Sequence, residues 1–93
     1  MDEVLRIVVT GQVQGVGFRA FTERTARGLG VAGWVRNLSN GDVEVLARVS
    51  PNAKQPFLAQ LQHGPSYSRV SGLRLTPEPG GSDCPQQGFS IRH

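Results

Sequence analysis

Residues 33–49, GWVRNLSNGDVEVLARV, contain two short runs, 34–38 and 43–49, in which apolar and polar residues alternate. Between the runs lies Asn40-Gly41, a pair typical of the tight turn of a β-hairpin, because both central residues of a type I′ turn need positive φ. This stretch therefore predicts two antiparallel strands joined by a type I′ turn.

The segments before the hairpin predict a strand and then a helix. Residues 4–10, VLRIVVT, are rich in β-branched side chains, which favours a strand buried on at least one face. From Phe18 onward, apolar or small residues recur at helical spacing while charged residues fall between them. Because glycine tolerates the left-handed conformation that ends a helix, we expect this helix to stop at Gly28 or Gly30.

The segment after the hairpin predicts a second helix. Residues 51–61 place Phe57 and Leu61 at helical spacing, and Gly64 followed by proline is a helix-stop signature. Proline removes a backbone donor and is tolerated only in the first turn, so we expect the helix proper to begin near Pro56.

The end of the chain predicts two more strands, and the full order of elements indicates the fold class. Residues 70–76 and 89–92 read as strands, and the Pro/Gly/Ser/Gln-rich residues 77–88 read as a loop. The order is then βαββαβ, with a short terminal strand besides. This order is typical of a ferredoxin-like α+β sandwich, an antiparallel sheet with two helices on one face. At 93 residues, the chain 1–93 is expected to form a single domain.

Composition and charge narrow the class of protein. The formal net charge is +3, and the ten basic residues are all Arg except Lys54, scattered along the chain, which suits a small anion better than a nucleic-acid track. The single Cys84 excludes an internal disulfide. Neither a secretion signal nor a membrane-length apolar segment is recognisable, so we expect a cytoplasmic protein that does not bind membranes.

Residues 15–19, between the first strand and the first helix, are the candidate functional segment. Such a turn can direct successive backbone N–H groups into one concavity, and a helix start adds unpaired donors. Arg19 can add a planar fork of donors that fits two phosphate oxygens. The alternative is that the glycines only make a tight corner and that Arg19 is a solvated surface residue; spacing alone leaves both open.

Other phosphate motifs fit poorly. GVGFRA formally matches a dinucleotide fingerprint, but that motif needs an acidic residue about twenty positions on, and Arg36 and Asn37 stand in that region. A P-loop needs Gly-Lys, and no lysine precedes Lys54. A thiolate phosphatase needs an arginine six positions after its catalytic cysteine. The residue six positions after Cys84 is Ser90.

Metal and nucleophile chemistry also lack support. His63 and His93 have no second ligand at useful spacing, and both read as surface histidines. Cys84 has no neighbouring cation in sequence to lower its pKa and reads as incidental. The remaining substrates are reactive ones such as a phosphoanhydride with a carboxylate leaving group, which needs no proton from an acid.

Asn37 is the second candidate residue. It lies near the end of the second predicted strand, where its amide could face the glycine turn if the first and second strands are neighbours. An amide offers a donor and an acceptor, which suits it to hold one water molecule behind a phosphorus atom. The alternative is an asparagine that only helps to form the hairpin turn.

Two segments, VTGQVQGVGFRAF and AGWVRNLSNGDVEV, resemble the two signature segments of the acylphosphatase family, and GPSYSRV and FSIR resemble later landmarks. The resemblance implies a ferredoxin-like fold and hydrolysis of acyl phosphates to a carboxylate and inorganic phosphate. It also implies no cofactor, with a small-molecule acyl phosphate as substrate. It assigns Arg19 to the phosphoryl group and Asn37 to the attacking water. The phosphate-binding segment that it implies comprises Gly15, Val16, Gly17, Phe18 and Arg19.

Two rival functions remain, and we expect a monomer in each case. The first is a non-catalytic domain that uses the same turn to bind a phosphorylated group. The second is an RNA-binding module, since RNA-recognition domains share this order of elements but need exposed aromatic residues on central strands.

Overall fold

The computed structural model describes residues 1–81 and 83–93 and contains seven regular elements. In chain order they are β1 (Glu3–Gln12), α1 (Phe18–Leu29), β2 (Ala32–Asn37), β3 (Val43–Val49), α2 (Pro51–His63), β4 (Arg69–Pro77) and β5 (Phe89–Ile91). The predicted order and the α+β class are confirmed. Ser82, which belongs to the predicted loop 77–88, lies outside the described residues.

The strands form one five-stranded sheet in the order β4-β1-β3-β2-β5. The pairs β1/β3, β1/β4 and β2/β3 are antiparallel, whereas β5 runs parallel to β2, with Val35 opposite Ile91. The prediction of a purely antiparallel sheet is therefore wrong at this edge. After β4, at one edge of the sheet, the chain crosses to the other edge. There it forms β5, which runs in the same direction as β2.

Both helices pack on one face of the sheet, where the main core lies. This face receives alternate residues of the central strands because side chains alternate across a strand. Its fully buried members include Ile7, Val9, Val35, Val45 and Phe57.

The opposite face of the sheet has its own small apolar cluster. Val4, Trp34 and Leu46 are buried there together with Cys84, which comes from the connection between β4 and β5. The Trp34 indole N–H donates to the carbonyl of Asp83 at 3.3 Å, and Arg48 donates to the carbonyl of Cys84 at 3.0 Å. This connection therefore covers part of the face that the helices leave open.

The hairpin between β2 and β3 is confirmed, but its turn is not type I′. Leu38 N–H donates to the carbonyl of Asp42, and Gly41 N–H donates to the carbonyl of Leu38. Gly41 has φ 98°, whereas no residue other than glycine has positive φ among the described residues. A three-residue loop, a type I turn followed by a left-handed glycine, fits these bonds, and it needs positive φ at Gly41 only.

The second helix begins earlier than predicted. The side chain of Ser50 accepts a hydrogen bond from Ala53 N–H, and Pro51 occupies the first helical position, where its missing donor costs nothing. Pro56 therefore lies inside the helix, and the prediction that the helix begins near it is wrong. The carbonyl that loses a donor belongs to Asn52, which is exposed and can bind water instead.

Candidate functional site

The glycine turn between β1 and α1 has the backbone shape predicted for an anion cradle. Gly15 and Gly17 have φ of 75° and 79°, and Val16 between them does not have positive φ. A Cβ added at either glycine would meet nothing within 4 Å. Glycine is therefore needed at these positions for its positive φ and not because a side chain would clash. Alternation of left-handed and ordinary residues turns successive N–H groups toward one side.

The backbone donors of this turn have no partners within the described chain. The N–H groups of residues 15–20 donate to no carbonyl or side chain there, while Phe21 N–H closes the first helical bond on the Gly17 carbonyl at 3.0 Å. Helix starts leave such donors unpaired, and the helix dipole makes the same end positive. Phe18, 1% exposed, fixes this helix end in the core. This segment therefore presents a series of N–H donors that are unpaired among the described residues.

A cleft of about 270 Å³ opens over this segment and joins three parts of the chain. Its lining comes from the turn and α1, from the end of β2, and from β5 and the residues after it. The lining residues are Val13, Gly15, Gly17, Phe18, Arg19, Ala20, Asn37, Ile91 and His93. Arg19 and Asn37 thus share one cleft, although the expected condition, that β1 and β2 are neighbours, is not met, because β3 lies between them. Val16 does not line it, because its half-buried side chain packs against the core.

The guanidinium of Arg19 is held by one of its terminal nitrogens. Its Nη1 donates to the carbonyl of Arg92 at 3.3 Å and to Nδ1 of His93 at 3.1 Å. Nη1 carries two hydrogens, so these two bonds use both. The opposite edge, Nε–H and Nη2–H, keeps the pair of parallel donors that binds carboxylate or phosphate oxygens in bidentate fashion.

Asn37 is the last residue of β2, opposite Val43, and is exposed. The segment after it is tied to the glycine turn by Gln14, whose Nε2 donates to the carbonyls of Leu38 at 2.7 Å and Asp42 at 2.8 Å. The sequence interpretation missed Gln14, because no spacing rule links a loop glutamine to a hairpin more than twenty residues away. Its place directly before the first glycine of the cradle was the one available signal.

The two histidines differ in their surroundings. His63 is exposed at the end of α2, as predicted. His93 is also exposed, as predicted, and its ring additionally contacts Arg19 in the cleft. Within residues 1–81 and 83–93, no group of three or more His, Cys, Asp or Glu side chains could hold a metal ion.

Cys84 is buried and lies away from the cleft. Burial raises the pKa of its thiol, and the nearby guanidinium of Arg48 lowers it by a smaller amount. The prediction that Cys84 has no neighbouring cation is therefore wrong in three dimensions, although burial dominates. A thiol in this state is a weak nucleophile.

A charged network occupies the sheet face opposite the helices. The carboxylate of Glu44, whose side chain is 8% exposed, pairs with both Arg6 and Arg36, the latter at 2.6 Å. Arg6 also donates to Glu78 at 2.7 Å, and its hydrogen bonds to Glu78 and Glu44 raise its pKa above the ordinary value for arginine. Arg36 directly precedes Asn37, so this network supports the strand end that carries it.

None of the helices in the described part of the chain is both long and apolar enough to span a membrane.

Comparisons with known proteins show the family and the fold of the chain. The family model described as Acylphosphatase matches residues 5–91. An acylphosphatase of Bifidobacterium longum is 53% identical over 78% of the chain and 75% of its own length. One from Rhodospirillum rubrum is 42% identical over 89% and 97%. The crystal structure of acylphosphatase from Bacillus subtilis superimposes with a TM-score of 0.90 at 38% identity, covering 100% of both chains.

Proposed function

Because the chain belongs to the acylphosphatase family of enzymes, we propose that it hydrolyses the carboxyl–phosphate bond of acyl phosphates by in-line attack of water. Membership of the family supports the reaction itself. The roles of individual residues below are our proposal. The observation that supports them best is the single cleft shared by the unpaired N–H groups, Arg19 and Asn37.

The phosphoryl group binds to the backbone of residues 15–19. Its oxygens carry the negative charge that free N–H groups and a helix N-terminus favour. Glycine at positions 15 and 17 lets the anion approach the main chain without meeting a Cβ. Since these donors are already oriented, they stabilise the charge that spreads over the phosphoryl oxygens in the transition state without reorganising.

Arg19 binds two phosphoryl oxygens through its Nε–H and Nη2–H edge. Its other edge is held by the carbonyl of Arg92 and the ring of His93. A guanidinium fixed on one side loses less side-chain entropy when it binds an anion on the other.

Asn37 orients the attacking water across the cleft from the cradle. Its side-chain oxygen accepts a hydrogen bond from the water, which directs an oxygen lone pair toward phosphorus. The water oxygen forms the new P–O bond, and the bond to the carboxyl oxygen breaks with its electron pair. The leaving carboxylate is a stable anion, so no general acid is required, and the proton of the water passes to the released phosphate.

The assay is release of phosphate from benzoyl phosphate, a simple aromatic acyl phosphate. We expect Arg19→Ala to lower kcat/KM by at least about 10²–10³-fold and to weaken inhibition by phosphate. We expect Asn37→Ala to lower kcat by a similar factor while KM changes little, because the anion ligands remain. Near-normal turnover of Asn37→Ala would exclude the water-orienting role.

Matched controls come from exposed residues of the same type. Arg24 lies on α1 beyond the cleft lining, and Asn52 lies in the first turn of α2. Arg24→Ala and Asn52→Ala should keep wild-type kinetics. A loss of rate in these variants would mean that the assay reports stability and not the cleft.

The two rival functions predict different results. A non-catalytic domain that only binds phosphorylated groups would leave the background hydrolysis of benzoyl phosphate unchanged. RNA binding of the RNA-recognition type needs exposed aromatic rings on the sheet, whereas Trp34 is 3% and Phe89 3% exposed. A salt-dependent shift of labelled RNA would favour the second rival.

We further propose that residues 1–93 act as one domain, as a monomer, in the cytoplasm. The single-domain part is supported by the main core, to which both helices and the central strands contribute. Sedimentation equilibrium at assay concentration tests the monomer.

A further inference from the structure

His93 provides the one histidine ring among the described residues that line the cleft. Its Nδ1 lies 3.1 Å from Nη1 of Arg19, and the carbonyl of Arg92 lies 3.3 Å from the same nitrogen. The two acceptors come from adjacent residues, but they are more than seventy positions from Arg19 in the sequence.

The hydrogen bond between Arg19 and His93 requires one tautomer of the neutral ring. A guanidinium only donates hydrogen bonds, so Nδ1 of His93 must be unprotonated and the ring proton must be on Nε2. A protonated imidazole donates from both nitrogens and cannot accept from Arg19. The hydrogen bond to Nδ1 of His93 therefore requires the neutral ring, whereas the hydrogen bond to the Arg92 carbonyl has no such requirement.

We propose that His93 is a positioning residue for Arg19, and that its neutral ring holds the guanidinium with the Nε–Nη2 edge directed at the bound anion. Protonation of the ring replaces a hydrogen bond with repulsion between two cations and releases this hold. The proposal rests on the proposed phosphoryl-binding role of Arg19. It concerns how tightly the cleft binds an oxyanion, and it adds no chemical step.

Few other charged side chains of the described residues face the ring. Arg19 is the only other charged side chain among the described residues of the lining. On α1, Glu23 lies one turn beyond Arg19 and pairs with Arg27 at 3.2 Å. On the other side, the Arg92 guanidinium lies 4.5 Å from the centre of the Trp34 ring and is directed away from the cleft. β2 contributes only the uncharged Asn37 to the lining.

The experiment compares sulfate binding by the wild type, His93→Asn and His93→Ala, measured by calorimetry at pH 8 and pH 5.5. Sulfate keeps its charge over this range, so changes in affinity report the protein. The Oδ1 of asparagine occupies the position of Nδ1 relative to Cα and accepts a hydrogen bond without titrating. Alanine offers no acceptor.

At pH 8 we expect the wild type and His93→Asn to bind sulfate alike and His93→Ala to bind it about 3- to 10-fold more weakly, the effect of one hydrogen bond. At pH 5.5 any loss of affinity should be confined to the wild type, because the side chains of asparagine and alanine do not titrate. KM for benzoyl phosphate should follow the same order.

A double-mutant comparison separates positioning from a general structural role. In an Arg19→Ala background, replacing His93 should no longer change sulfate affinity, because the group that it positions is absent. A residue that only stabilises the fold would lower affinity by the same factor in both backgrounds. Circular dichroism of each variant reports whether the fold is kept.

Two outcomes would overturn the proposal. Equal affinities for all three proteins at both pH values would show that the ring does not hold Arg19. Tighter binding by the wild type than by His93→Asn at pH 5.5 would show that the imidazolium is itself an anion ligand. Because sulfate binding is measured without turnover, failure of the hydrolysis assay would count against the proposed function and leave this test intact.

Discussion

Replacing Gln14 with leucine should disconnect the two halves of the candidate site. The Nε2 group of Gln14 bridges the glycine turn to the hairpin through the carbonyls of Leu38 and Asp42, at 2.7 and 2.8 Å. Leucine has a similar volume and no donor, so the change removes two hydrogen bonds with little effect on packing.

The expected loss of stability depends on the hydrogen bonds that the two carbonyls keep in Gln14→Leu. Leu38 O still accepts from Gly41 N–H, and Asp42 O still accepts from Leu38 N–H, so neither oxygen is left without a partner. Each lost bond then costs its net value of about 0.5–1.5 kcal/mol, and the lower half of that range applies. We expect a total of about 1–2 kcal/mol, with a fall in Tm of about 4–8 °C per kcal/mol for a domain of this size.

The assay combines urea denaturation with kinetics on benzoyl phosphate. Because the cradle and Arg19 remain in place, we expect sulfate affinity to be nearly kept while kcat falls by about 10- to 100-fold, the effect of a displaced catalytic group. Gln12→Leu is the matched control, since Gln12 is exposed and its side chain makes no hydrogen bond within the described residues. If both variants had the same kcat and Tm, Gln14 would not be the tie between the two elements.

Three further substitutions and one labelling experiment test other parts of the fold. Gly33→Ala should cost more than about 3 kcal/mol or prevent folding, because a Cβ there would lie 1.8 Å from the Leu46 carbonyl oxygen at φ 147°; a Tm near that of the wild type would contradict this. Gly28→Ala should instead raise stability by about 0.5–1 kcal/mol in urea, since the site is helical and open. Glu44→Gln should lower the free energy of unfolding by about 1–3 kcal/mol, because it removes the carboxylate that pairs with the guanidiniums of Arg6 and Arg36. An unchanged urea midpoint would mean that the network is only a surface feature. Cys84 should resist iodoacetamide at pH 7.5 in the folded protein and react in urea, because burial raises the pKa of its thiol; rapid labelling of the folded protein would contradict this.

Features that depend on neighbouring residues could be predicted from the sequence. The Asn40-Gly41 pair identified the hairpin, and the apolar spacing after Phe18 identified α1. The glycines at 15 and 17 indicated the cradle. In each case the deciding interaction lies within a few positions along the chain, so the local pattern contains it.

Features that depend on distant residues could not be predicted. The turn type of the hairpin depends on whether Leu38 pairs with Asp42, and that pairing is also supported from outside by Gln14. Pro56 inside α2 breaks a local rule, but an earlier cap and exposure to water compensate. The parallel pairing of β5 and the contact between His93 and Arg19 join residues more than fifty positions apart, and no periodicity records them.

The edge position of β5 makes the cleft vulnerable to fraying. Among the described residues, β5 has three residues and β2 as its one strand partner, with one further hydrogen bond from Arg27 to the Phe89 carbonyl at 3.3 Å, whereas β1 is paired along both sides. Short edge segments detach with free energies far below that of global unfolding, and when β5 detaches, Ile91 and the acceptors that hold Arg19 leave with it. We therefore expect a sub-global opening that silences the enzyme while the remaining sheet stays intact. On warming, activity should disappear before the far-ultraviolet circular dichroism signal does, and the amides of β5 should exchange hydrogen faster than those of β1.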